Sequence, residues 1–124
     1  MDKDILNEYG KILISDVRDR TIHSMDMMLS GKMNGVTAKR ILEKVSSFSE
    51  SQLESLKWLI PKIVDLSLHN MLVMIEENDE INVEISAGDV SNNIKEVSDG
   101  LPGELYTEDG WIMKYSNERY EEGI

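Results

Sequence analysis

Cysteine is absent from the 124 residues, which excludes disulfide frameworks, thiolate zinc sites and cysteine nucleophiles. Proline is nearly absent as well, with Pro61 and Pro102 its two occurrences. Basic side chains are in deficit, 13 against 24 acidic ones, for a formal charge of -11. A chain so short of lysine and arginine cannot neutralise a run of phosphates, and no nucleic acid is expected as a partner. Long apolar runs are missing too. The opening Met1-Asp2-Lys3-Asp4 is charged, and no stretch of signal-peptide type follows it. The most apolar segment, Leu66 to Ile75, contains His69 and Asn70 and is about half the length that a bilayer span needs. The expectation is a cytoplasmic protein without a membrane segment.

What is present suffices for a core. With 40 % hydrophobic and 30 % charged residues, the composition is that of a folded domain, and a chain of this size buries about 65 % of its unfolded surface. One domain, 1–124, is expected. Asp4 can cap a helix whose apolar positions include Ile5, Leu6, Tyr9, Ile12, Leu13, Val17 and Met28, close to the 3.6-residue period. Gly31 and Asn34-Gly35 stop it, so the spacing predicts a helix over about 4–29. A second helix is expected over 36–47.

Ser49-Glu50-Ser51-Gln52 has the form of a capping box, with Phe48 and Leu53 placed as a hydrophobic staple. Pro61 lacks an N–H and crowds the Lys57 carbonyl, which predicts a kink or a restart there, between helical segments 50–60 and 62–77. Beyond Asn78, Ile81, Val83 and Ile85 alternate with polar residues as in a half-buried strand. The segment 87–93 reads as loop. Asp109-Gly110, flanked by 104–108 and 111–115, predicts a hairpin, and the tail from Ser116 to Ile124 a short helical turn with a frayed end. The fold class is α+β, three or four helices followed by a small C-terminal β element.

Charge is distributed unevenly. Residues 1–75 hold 10 acidic and 10 basic side chains, whereas 76–124 hold 14 and 3, which is the whole of the -11. A neutral helical part (1–77) thus precedes an acidic strand and turn part (78–124) that also carries Tyr106, Trp111, Tyr115 and Tyr120. Acidic loops keep a protein soluble, and they also suit a docking face for a basic protein partner. Glu104, Glu108, Asp109 and Trp111 are the candidate residues there.

On a helical wheel of 62–77, Ile63, Val64, Leu68, Met71, Leu72, Met74 and Ile75 fill a half-circle that should face the core. Leu66 and Val73 fall in the polar half beside His69 and Asn70, so a second surface of this helix is expected to be covered. It is covered by another part of the chain, or it is a partner or homodimer contact through helix 62–77 centred on Leu66, His69, Asn70 and Val73. On the first helix, Asp16, Arg20 and His23 project into the apolar arc at i, i+4 and i+7. They are a structural ion pair with its neighbour, or a polar site for acid–base or anion-binding work.

No motif implies a cofactor or metal. Asp65 and His69 sit at i, i+4, but no third ligand and no H-E-x-x-H spacing accompanies them. A P-loop, a G-x-G-x-x-G fingerprint and a G-x-S-x-G elbow are all missing. The segments Phe48-Ser49-Glu50-Ser51-Gln52, His69-Asn70-Met71-Leu72, Gly103-Glu104-Leu105-Tyr106 and Gly110-Trp111 resemble, in order and kind, small bacterial α+β proteins of unknown function. That resemblance implies a helical N-terminal part and a Gly/Trp-containing tail, and no functional residue. The leading expectation is a non-enzymatic interaction module, of inhibitor, immunity or adaptor type, that uses its acidic C-terminal face. A small enzyme or ligand-binding protein around Asp16, Arg20 and His23, and a structural homodimer, are the alternatives.

Overall fold

Two local signals organise the helical part, and the structure follows both. The capping box forms as spaced: Ser49 Oγ accepts from Gln52 N at 3.2 Å and Gln52 Oε1 accepts from Ser49 N at 2.8 Å. The Gly31 stop also holds, at a positive φ of 74°. A computed structural model of the chain describes residues 2–120. Its order is α1 (Asp2–Leu13), a π-helical segment (Ile14–Asp19), α2 (Arg20–Leu29), α3 (Val36–Val45) and α4 (Glu50–Glu77). Then follow β1 (Glu84–Ala87), β2 (Val90–Asn93), α5 (Ile94–Val97), a 3₁₀ turn (Pro102–Leu105) and α6 (Trp111–Tyr115). This is a predominantly helical α+β fold with a small antiparallel sheet.

Four sequence expectations are corrected. Helices 50–60 and 62–77 are one helix of 28 residues that runs through Pro61. Proline leaves the Lys57 carbonyl without its helical N–H, and Arg119 supplies the missing donors from Nε at 3.1 Å and Nη2 at 2.9 Å. The β-hairpin lies at 84–93, where Ala87 pairs with Val90 across Gly88-Asp89, a segment read as loop. The hairpin expected around Asp109-Gly110 is instead the 3₁₀ turn followed by α6. Trp111 and Ile112 are both buried, a pairing that a helix turn allows and an alternating strand forbids. Residues 116–120 form no helical turn, and 121–124 lie outside the described residues.

The larger core cluster packs α1 and the C-terminal half of α4 around α5, the 3₁₀ turn and α6. It is built from Leu6, Leu13, Ile14, Leu68, Leu72, Ile75, Ile94 and Trp111 with their neighbours. Trp111 lies over Gly10, where any Cβ would fall inside the indole envelope. Its ring meets Tyr9 edge-on at 5.9 Å, and Nε1 donates to Asn7 Oδ1 at 3.2 Å. Removing so large a buried side chain costs about 3–5 kcal/mol. A smaller cluster of Ile22, Leu29 and Ile60 joins α2 and α3 to the N-terminal half of α4.

Candidate functional site

The π-helical segment changes which residues of the first helical rod face inward. A π turn holds an extra residue and so rotates everything beyond it relative to the 3.6-residue wheel. Val17, expected in the apolar stripe, is exposed, as is Ile12 ahead of the segment, while Ile14 and Arg18 are fully buried. Asp16, Arg20 and His23 accordingly face solvent rather than the apolar arc. The buried charges are their neighbours Arg18 and Asp19, which the unshifted wheel missed.

Arg18 spends every guanidinium donor inside the protein. Nε and Nη2 grip the two Asp65 carboxylate oxygens at 2.6 and 3.3 Å, and Nη1 reaches Asp19 Oδ1 at 3.2 Å and Ser116 Oγ at 2.8 Å. The fifth bond, from Nη2, goes to the Arg119 carbonyl at 2.9 Å, and the Tyr120 ring covers the guanidinium at 5.6 Å. Asp19 also receives Asn117 N at 2.7 Å. Arg119 then forks onto Asp26 at 2.8 and 3.0 Å while it caps Lys57. Residues 116–120 are thereby strapped across the π segment, α2 and α4. Among the described residues no buried side-chain polar atom is left without a partner, so this cluster is a structural clasp.

A groove of about 250 Å³ borders the strap, lined by Trp58, Pro61, Lys62, Asp65, Arg119 and Tyr120. Lys62 Nζ stands 4.6 Å over the Trp58 ring. One helical turn beyond Asp65 on α4, His69 Nδ1 is 2.9 Å from the Tyr106 hydroxyl. Burial, and then the charge of Asp65, raise the Tyr106 phenol above its ordinary value. Asp65 and His69 are thus drawn to different partners, and among the described residues no group of three His, Asp or Glu is placed to hold a metal ion.

The acidic segment is divided by its folding. Glu104 is half-buried and accepts from Ser98 Oγ at 3.0 Å, whereas Glu108 and Asp109 are exposed on the turn before α6. In that turn Thr107 has a φ of 74°, and a Cβ at Gly110 would collide with the Tyr106 carbonyl. Trp111, a surface candidate in the sequence reading, is 1 % exposed and belongs to the core.

Helix α4 carries a different kind of surface. At 100° per residue, Leu59, Ile63, Leu66, Asn70 and Val73 fall within about 40° of one line. Leu59, Ile63 and Leu66 are 43 %, 52 % and 60 % exposed; Asn70 is exposed and Val73 half-buried. Met74 and Trp58, at 45 % and 53 %, flank this ridge. The sequence named Leu66, His69, Asn70 and Val73 here, and placed Ile63 and Met74 in the core. The core in fact takes a narrower arc through Leu68, Leu72 and Ile75. Splitting the helix at Pro61 concealed the signal for Leu59 and Ile63, a seven-residue repeat that crosses the proline. By length and composition α4 would suffice to cross a membrane, yet its inward side is core and Asp65 on it is ion-paired. Its apolar excess is this outward ridge. No protein-family model, no curated protein and no solved structure matches the chain.

Proposed function

We propose that this protein is a non-enzymatic interaction module that docks a protein partner on the outward ridge of α4. The observation behind the reading is a line of large apolar side chains, Leu59, Ile63 and Leu66, left in water beside Trp58 and Met74. Folded chains rarely leave a contiguous apolar strip uncovered without a use for it, and a flexible Met beside an aromatic suits an adaptable contact. The buried Arg18 cluster offers no competing site, because its donors are committed to Asp65, Asp19, Ser116 and Arg119.

A second reading, an acidic face for a basic partner, draws support from the charge asymmetry and from the exposure of Glu108 and Asp109. Its aromatic candidate, Trp111, is buried in the core. Affinity capture by immobilised protein separates the two. Wild type, Leu66→Glu, and the double variant Glu108→Gln/Asp109→Asn are compared from about 50 to about 300 mM salt. The ridge reading expects a set of captured proteins that Leu66→Glu abolishes and salt barely changes. Capture that ignores Leu66→Glu but falls with salt and with charge neutralisation contradicts it.

A further inference from the structure

We infer that the partner seated on the α4 ridge is a second copy of this chain, lying antiparallel; this rests on the ridge being a docking surface. Three properties of the ridge select that occupant. The first is its repeat. Leu59, Ile63, Leu66, Asn70 and Val73 are spaced by four, three, four and three residues, the d-a-d-a-d order of a seam between two helices. A two-fold contact needs a surface that complements itself, and such a repeat presents knobs and the holes that accept them on one face.

The second property is the single polar member. Asn70 occupies an a position within an otherwise apolar line; in an antiparallel pair it lies against Leu66 of the second copy, so its amide costs affinity. The resulting dimer is therefore readily exchanged.

The third is charge, which decides direction. Lys62 flanks the N-terminal part of the seam, and Glu76 and Glu77 close its C-terminal end. Asp79 and Glu80 follow directly on the C-terminal end of α4. Parallel helices would set two acidic ends side by side. The antiparallel arrangement sets each acidic end of α4 against the N-terminal end of the other copy's and brings Lys62 toward the second copy's Glu77. With a two-fold axis between Leu66 and Asn70, Ile63 meets Val73 of the second copy.

Sedimentation of the purified chain over about three decades of concentration tests the association. The wild type is expected to shift from monomer to dimer, with the dissociation constant raised at least about 30-fold by Leu66→Glu. Asn70→Leu is expected to lower it about 10-fold. Melting curves of Leu66→Glu in its monomeric range show whether the fold is kept. Because the chain has no cysteine, introduced thiols report direction cleanly. A mixture of Ile63→Cys and Val73→Cys chains should form an intermolecular disulfide faster than either chain alone.

Wild-type protein that stays monomeric, a dimer indifferent to Leu66→Glu, or Ile63→Cys chains that link to each other as fast as the mixture each overturn the proposal. Vesicle binding lost in Leu66→Glu would assign the ridge to a lipid surface and overturn it as well. If the wild type is monomeric while Leu66→Glu still abolishes capture of other proteins, the second copy fails and the docking surface survives. If neither assay responds, both fail.

Discussion

The two faces of α4 are built from the same kind of residue. Leu68, Leu72 and Ile75 point inward and are buried against α1, α5 and the 3₁₀ turn; Leu59, Ile63 and Leu66 point outward and remain 43–60 % exposed. Hydrophobicity alone does not separate them. What separates them is which neighbours the tertiary fold brings to each side, and the outward side is the one that the described residues leave uncovered. The inward face is locked in place by a long-range device, the Arg18–Asp65 pair and the strap of residues 116–120. The outward face has none.

The largest expected effect tests that lock. Arg18→Ala strands Asp65 and Asp19 in a buried setting and should cost about 3–5 kcal/mol in a urea titration. Arg18→Lys should recover little of this, because a single ammonium cannot replace five directed donors. Next comes the contrast between the faces themselves. Leu72→Ala should destabilise the fold by about 2–5 kcal/mol, while Leu66→Ala, measured where the chain is monomeric, should stay within about 0.5 kcal/mol. Equal losses at the two positions would erase the distinction. Gly10→Ala, which pushes Trp111 off α1, should cost about 1–3 kcal/mol through overpacking.

The smallest effect is a pH dependence on the covered side. Burial raises the Tyr9 phenol, and burial together with Asp65 raises that of Tyr106. Both therefore hold their protons more tightly in the folded chain than in the unfolded one. Their contribution to stability is intact below about pH 10 and is lost as pH rises from there through the raised folded values. Melting temperatures between pH 8 and about 11 should fall at the alkaline end, and less steeply in Tyr106→Phe.

Features set by neighbouring residues were legible in the sequence. Ser49 and Gln52 need only three residues of separation to form their box, and Gly31 only its own backbone freedom, so both helix boundaries were readable. The α+β class was readable too, whereas Leu66 and Asn70 belonged to a surface expected to be covered and are exposed. The continuity of α4 was not, because the donor that rescues the Lys57 carbonyl is Arg119, 62 residues away. The inward turn of Arg18 was hidden by a π segment that shifts the helical phase, which a fixed 3.6-residue wheel cannot represent. Asp16, Arg20 and His23 were selected by that unshifted wheel. Asp109-Gly110 reads as a hairpin turn, but Gly110 keeps a φ of -75° and caps α6, whose Trp111 packs on Gly10.

Solvent accessibility of the α4 methyl groups, read by a soluble paramagnetic agent, tests the two-faced helix most directly. At low protein concentration the methyls of Leu59, Ile63 and Leu66 should be strongly relaxed, and those of Leu68, Leu72 and Ile75 protected. As concentration rises the first set should become protected while the second stays unchanged. Outward methyls that remain relaxed at every concentration, or inward methyls that are relaxed at low concentration, would contradict the account.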